Sequence, residues 1–96
     1  MDTMSTSELE QRAARTADIY RQWIKAHSKQ MTLDERIGEA VAADLVGIPA
    51  KSLRGWRSQG LGPAFVKLAG RVTYRVEDLA WWVEAGRQQT LETLEV

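Results

Sequence analysis

The residues able to do chemistry in this chain gather in one stretch, Gly47-Ile48-Pro49-Ala50-Lys51-Ser52-Leu53-Arg54-Gly55-Trp56-Arg57-Ser58. Lys51, Arg54 and Arg57 are cations spaced three residues apart. Leu53 and Trp56 are also three apart, so on a helix they share an apolar face. Ala50, Lys51, Arg54 and Arg57 then turn outward. The chemistry this pattern offers is anion binding, not bond breaking. A guanidinium donates in a planar fork that matches phosphate oxygens or the O6 and N7 edge of guanine.

The charge distribution points the same way. The whole chain is neutral, with 13 Lys+Arg against 13 Asp+Glu in 96 residues. Residues 1–46 hold six cations and eight acids, and residues 77–96 hold Arg87 and five acids. Between them, residues 47–76 hold Lys51, Arg54, Arg57, Lys67, Arg71 and Arg75 and no acid. Such a run, in a chain that is 27% charged, is the footprint expected of a polyanion-binding face.

Other chemistries lack their residues. With no cysteine, neither a disulfide framework nor a thiolate metal site can form. His27 is the sole histidine and sits at the end of a helical stretch, where a structural role is expected. No glycine-rich phosphate loop, metal-ligand spacing or nucleophile–base pair stands in the sequence. We therefore expect no catalytic residues, no metal and no cofactor. No apolar run approaches the about 20 residues that span a bilayer. Met1-Asp2-Thr3-Met4 does not begin a basic-then-apolar leader. The expectation is a cytoplasmic protein without membrane contact.

Periodicity and punctuation define the elements that must position the basic stretch. Residues 5–27 read as a helix, and Ser5 with Glu8, or Ser7 with Glu10, has capping-box spacing. Leu9, Ala13, Thr16, Tyr20, Trp23 and His27 recur at alternating spacings of four and three, with Ala17 and Ile24 widening the stripe. This stripe serves either the domain's own core or a second copy of the chain. Tyr20, Trp23 and Trp81 are the candidates for self-association. Thr32 and Glu35 repeat the capping-box spacing, and Leu33, Ile37, Ala40, Val41 and Leu45 follow at helical intervals. Residues 33–46 are thus expected to be one helix, weakened at Gly38 by up to about 1 kcal/mol and stopped at Gly47.

After the basic stretch, Gln59-Gly60-Leu61-Gly62-Pro63 breaks the chain. Phe65-Val66-Lys67-Leu68 and Arg71-Val72-Thr73-Tyr74-Arg75 flank Ala69-Gly70, which predicts a β-hairpin. Pairing Leu68 with Arg71 sets Lys67 opposite Val72, Val66 opposite Thr73, and Phe65 opposite Tyr74 as a core aromatic pair. Lys67 and Arg71 sit at the tip. Residues 77–85 form a last helix with Glu77 and Asp78 in its first turn. Leu79, Trp82 and Val83 face the core, and Trp81 does not. Gly86 ends or weakens this helix.

The ordered set Leu45-Val46-Gly47-Ile48, Leu53-Arg54-Gly55-Trp56-Arg57, Gly60-Leu61-Gly62-Pro63, Phe65-Val66-Lys67-Leu68, Gly70-Arg71-Val72-Thr73-Tyr74-Arg75, Asp78-Leu79 and Trp82-Val83 resembles small winged helix-turn-helix domains of the excisionase and AlpA type, related to the DNA-binding domain of MerR regulators. The resemblance covers roughly residues 32–86. It implies a mainly α fold with a small β-hairpin, the winged helix-turn-helix, carrying an extra N-terminal helix. The divisions expected are 1–31, an N-terminal helix and linker; 32–87, the DNA-binding domain; and 88–96, a flexible tail. The resemblance implies major-groove contacts from Lys51, Ser52, Arg54 and Arg57. It implies wing contacts from Lys67, Arg71, Thr73 and Arg75. Leu53, Trp56, Phe65, Tyr74, Leu79 and Trp82 would be core. Two departures stand out: Pro49 replaces the usual serine or threonine cap, and Gly55 lies mid-helix.

The expected function is sequence-specific binding of double-stranded DNA. The leading role is that of an excisionase, a recombination directionality factor that bends attachment-site DNA and steers an integrase toward excision. A transcription regulator of a phage or integrative element is the second reading. A terminase small subunit and a protein–protein adaptor carry less weight. Self-association on DNA is expected.

Overall fold

Ser5 starts the first helix. Its hydroxyl accepts from the Glu8 amide at 3.1 Å, and the Glu8 carboxylate accepts from the Ser5 amide at 3.3 Å. Both otherwise orphaned donors are satisfied, so α1 runs Thr6–Ala26 from that cap. Of the two expected capping spacings, the one at Ser5 is used, and Ser7 lies inside the helix. The computed structural model describes residues 5–94, with side chains described as far as Gly86.

The expected helix over residues 33–46 is corrected. Its first part is a turn and a strand. The Thr32 hydroxyl does not cap a helix; it accepts from the Arg36 amide at 2.8 Å and donates to Asp34 at 2.6 Å. Glu35 takes φ 63°, a left-handed conformation that no helix interior admits. Leu33 stands fully in solvent. Arg36–Gly38 forms β1, and α2 begins only at Glu39 and ends at Val46. Gly38 is therefore the cap residue before the helix, outside its interior. Gly47 closes α2 at φ 72°, its amide donating to the Ala43 carbonyl at 2.9 Å.

Pro49 caps α3, Ala50–Ser58, without a side-chain hydrogen bond. The hairpin comes next as β2, Val66–Leu68, and β3, Arg71–Arg75. Its register is the expected one: Leu68 with Arg71, Lys67 with Val72, Val66 with Thr73. The expected pairing of Phe65 with Tyr74 does not form. Tyr74 pairs with Ile37 of β1 instead, and both are buried, whereas Phe65 lies before β2 and is exposed. The sheet is three-stranded and antiparallel in the order β1-β3-β2. The last helix, α4, runs Val76–Leu94 and continues through Gly86 to residues expected to form a tail.

One hydrophobic cluster joins all of this. Ala13, Ala17, Tyr20 and Ile24 of α1 lie in it with Ile37, Ala42, Leu53, Tyr74, Val76 and Leu79. The α1 helix packs along α4. The buried part of its stripe, Ala13, Ala17, Tyr20 and Ile24, thus serves the chain's own core, and no packing boundary separates α1 from the helices and sheet after it. Among the described residues the architecture is four helices and a small antiparallel sheet, mainly helical as expected. No helix of the described residues is long and apolar enough to cross a membrane.

Candidate nucleic-acid interface

The α2–α3 unit turns on three residues, Gly47-Ile48-Pro49, and the two helices pack together. Leu53 anchors α3 by its burial, and Trp56 leans on Trp82 of α4 at 5.9 Å between ring centroids. Lys51 and Arg54 face solvent, and Ser52 is half-buried. Arg54 is 57% exposed. These positions agree with the outward face expected of the helix.

Arg57 departs from that expectation. It comes four residues after Leu53, one helical turn, and so lies beside the anchoring stripe rather than opposite it. Its Nη2 donates to both oxygens of Glu39, at 3.1 and 3.2 Å. Its guanidinium carbon sits 5.7 Å from the centroid of the Phe65 ring, within cation–π range. Its Nε is buried with no hydrogen-bond partner. The Tyr74 hydroxyl and then Glu39 hold this guanidinium still more firmly protonated than usual.

The hairpin divides its cations between two faces. Residues opposite one another in register share a face, and neighbours along a strand alternate. Tyr74 and Ile37 define the core-side face, and the Lys67–Val72 pair belongs to that side. Arg71, Thr73 and Arg75 belong to the other, with Arg36 of β1. Lys67 and Arg71 are both exposed. Thr73 is occupied: its hydroxyl accepts from Arg36 Nη1 at 3.0 Å and donates to the Val66 carbonyl at 3.3 Å. Arg75 lies 3.7 Å from Asp34. Asp34 also accepts from Arg36 Nε at 2.9 Å, and its hydrogen bonds from Thr32 and Arg36 hold its carboxyl at about 2.

Residues 47–76 contain no acid, but the fold delivers two from upstream. Glu39 neutralises Arg57, and Asp34 neutralises Arg36 and partly Arg75. Lys51, Lys67 and Arg71 have no ion pair among the described residues, and Arg54 has only a loose one, 3.9 Å to Glu39. The cations left exposed without a close ion pair among the expected contacts are therefore Lys51 and Arg54 on α3 and Lys67 and Arg71 on opposite faces of the hairpin. Sequence reasoning missed Glu39, Asp34 and Arg36. Glu39 carried no signal of its own: the expected helix over residues 33–46 set it mid-helix, and only the structure makes it the first residue of α2.

The self-association candidates separate. Tyr20 is 9% exposed and belongs to the core, where burial first and the Glu84 charge second raise its hydroxyl pKa. Trp23 is half-buried and stacks on His27 at 4.1 Å. His27 closes α1 through its amide and ring Nδ1, both on the Trp23 carbonyl, which is the structural role expected. Trp81 is exposed and borders a hollow of about 420 Å³ between α1 and α4, lined by Ala13, Ala14 and Ala17, by Glu10, Glu77 and Asp78, and by the ion pair of Arg21 with Asp18. Among the described residues no group of His, Cys, Asp or Glu could hold a metal ion. The chain matches no protein-family model, no curated protein and no solved structure.

Proposed function

We propose that this chain is a sequence-specific double-stranded DNA-binding protein of winged helix-turn-helix build. In this reading α3 enters the major groove, and the β2–β3 hairpin lies along the backbone or minor groove as the wing. One observation carries the reading. Lys51 and Arg54 stand unburied on the solvent face of a helix that a three-residue turn holds against α2, with the exposed Lys67 and Arg71 on the adjoining hairpin. Phosphate contacts from Lys67 and Arg71 would set position, and Arg54 with Lys51 would read base edges.

Within that class the role we favour is excision: the protein binds and bends attachment-site DNA so that an integrase runs toward excision. Its support is the ordered set of motifs from Leu45 to Val83. The alternative is transcription control of a phage or integrative element. A gel-shift and anisotropy series on attachment-site, promoter and scrambled duplexes at low and moderate salt tests the reading. Absence of binding to every duplex overturns it, and selective binding to promoter DNA with no effect on an integrase excision assay replaces the excision role by the regulatory one.

Self-association on DNA is part of the proposal. What supports it is Trp81, a large aromatic side chain left exposed on α4 away from the α3 helix and the hairpin tip. Stepwise filling of a multi-site duplex with equal, independent affinities would exclude it.

A further inference from the structure

Glu39 is the first residue of α2, and its side chain is only 15% exposed. A carboxylate so placed must be matched by donors, because desolvating a charge without partners is costly. Two close donors are supplied. The Tyr74 hydroxyl donates to Oε2 at 2.7 Å, and Arg57 Nη2 straddles both oxygens. A third group, Arg54 Nη1, approaches Oε1 only to 3.9 Å from an exposed position. One carboxylate thus holds two arginines of α3 in different ways.

Arg57 is committed on two sides, by Glu39 and by the Phe65 ring. Pulling it toward an external phosphate would strand a mostly buried carboxylate, and breaking such a pair is far costlier than forming a surface contact is favourable. Arg54 is the reverse case. Exposed ion pairs at long range contribute little, so a phosphate or a guanine edge displaces Glu39 readily.

From this we propose that Glu39 is a positioning residue: it withdraws Arg57 from the DNA-facing surface and leaves Arg54 and Lys51 as the cations with which α3 reads bases. The inference rests on the DNA-binding reading and adds a function to the carboxylate within it. Removing the negative charge at position 39 releases a cation onto the face. Phosphate contacts are insensitive to sequence, so random DNA gains more than the specific site, and selectivity falls.

The experiment measures affinity for a specific and a random duplex across salt, for the wild type, Glu39→Gln, Arg57→Ala and the double variant. Glutamine keeps an oxygen acceptor for Tyr74. For Glu39→Gln the slope of log K against log salt is expected to steepen by about 0.9, the value of one added phosphate contact. The specificity ratio is expected to fall. Arg57→Ala alone is expected to leave the slope unchanged, and the double variant to restore the wild-type slope. A merely structural glutamate would lower thermal stability without steepening the slope. An unchanged slope in Glu39→Gln overturns the proposal, as does a slope flattened by about 0.9 in Arg57→Ala, which would place Arg57 itself on a phosphate. Where Glu39→Gln or Arg57→Ala fails to fold, the double variant, which strands no charge, decides: a slope flattened by about 0.9 overturns the proposal, and the wild-type slope upholds it. A wild-type protein that binds neither duplex overturns the DNA reading and this role with it; normal wild-type binding with an unmoved variant overturns this role alone.

Discussion

The Tyr74 hydroxyl donates to Glu39 Oε2 at 2.7 Å, joining the end of β3 to the first turn of α2 across 35 residues of chain. Tyr74 is also 1% exposed and pairs with Ile37, so this contact locks the sheet to the helical unit. Hydrogen bonds to charged acceptors contribute more than neutral ones, and Tyr74→Phe is expected to cost about 1.5–3 kcal/mol in denaturant unfolding. A pH signature accompanies it. Burial, then the bond to Glu39, raises the Tyr74 pKa above the ordinary 10.0. The unfolded chain therefore loses that proton first as pH rises, so stability is complete below 10.0 and declines above it. Tyr74→Phe should flatten this decline, leaving the part due to Tyr20.

The first helix is expected to be indispensable to folding. Ile24 is 3% exposed and Ala17 2% exposed in the same cluster as Leu53 and Leu79. Ile24→Ala should cost about 2–5 kcal/mol, a large share of a small domain's stability. Deletion of residues 1–28 should abolish the cooperative thermal transition in circular dichroism. A truncation that still melts cooperatively would return α1 to the status of an appendage.

Base reading and backbone holding should separate by mutation. With Lys51, Arg54, Lys67 and Arg71 as the contacting cations, the salt slope is expected at about −3 to −4 per monomer. Arg54→Ala should cost about 1–3 kcal/mol on the specific site and relax base preference. Arg71→Ala should weaken specific and random DNA alike. Equal losses for both variants on both duplexes would contradict these roles, and a flat salt response would remove the basic face as the source of affinity.

The hairpin turn holds a strained residue. Ala69 and Gly70 have φ values of 51° and 78°, both left-handed, the signature of a type I′ turn. Glycine adopts this freely; alanine does not, at a cost of about 1–2 kcal/mol. Asparagine is the preferred first residue of such turns. Ala69→Asn is expected to raise stability by about 0.5–1 kcal/mol, read as a higher midpoint in urea, with DNA affinity unchanged.

What the sequence determined by itself is local. The Ser5–Glu8 cap, the stop at Gly47, the anchor at Leu53 and the register of the hairpin all depend on residues within a few positions of one another, where backbone geometry and turn chemistry leave few choices. Only the tertiary structure decided the rest. Residues 36–38 are too few to show a strand's alternation, and Ile37 suits a helical stripe as well as a strand. Pairing with the distant Tyr74 made it a strand. The same holds for the basic face. Its missing acids were visible along the chain, but Asp34 and Glu39 reach it through β1 and the start of α2, and no spacing rule links Glu39 to Arg57. Helical spacing already set Trp81 off the core face, but the Tyr20 stripe suited either the chain's own core or a second copy until α4 packed along α1. Burial of Tyr20 depends on which helix faces meet, and that is a property of the assembled core.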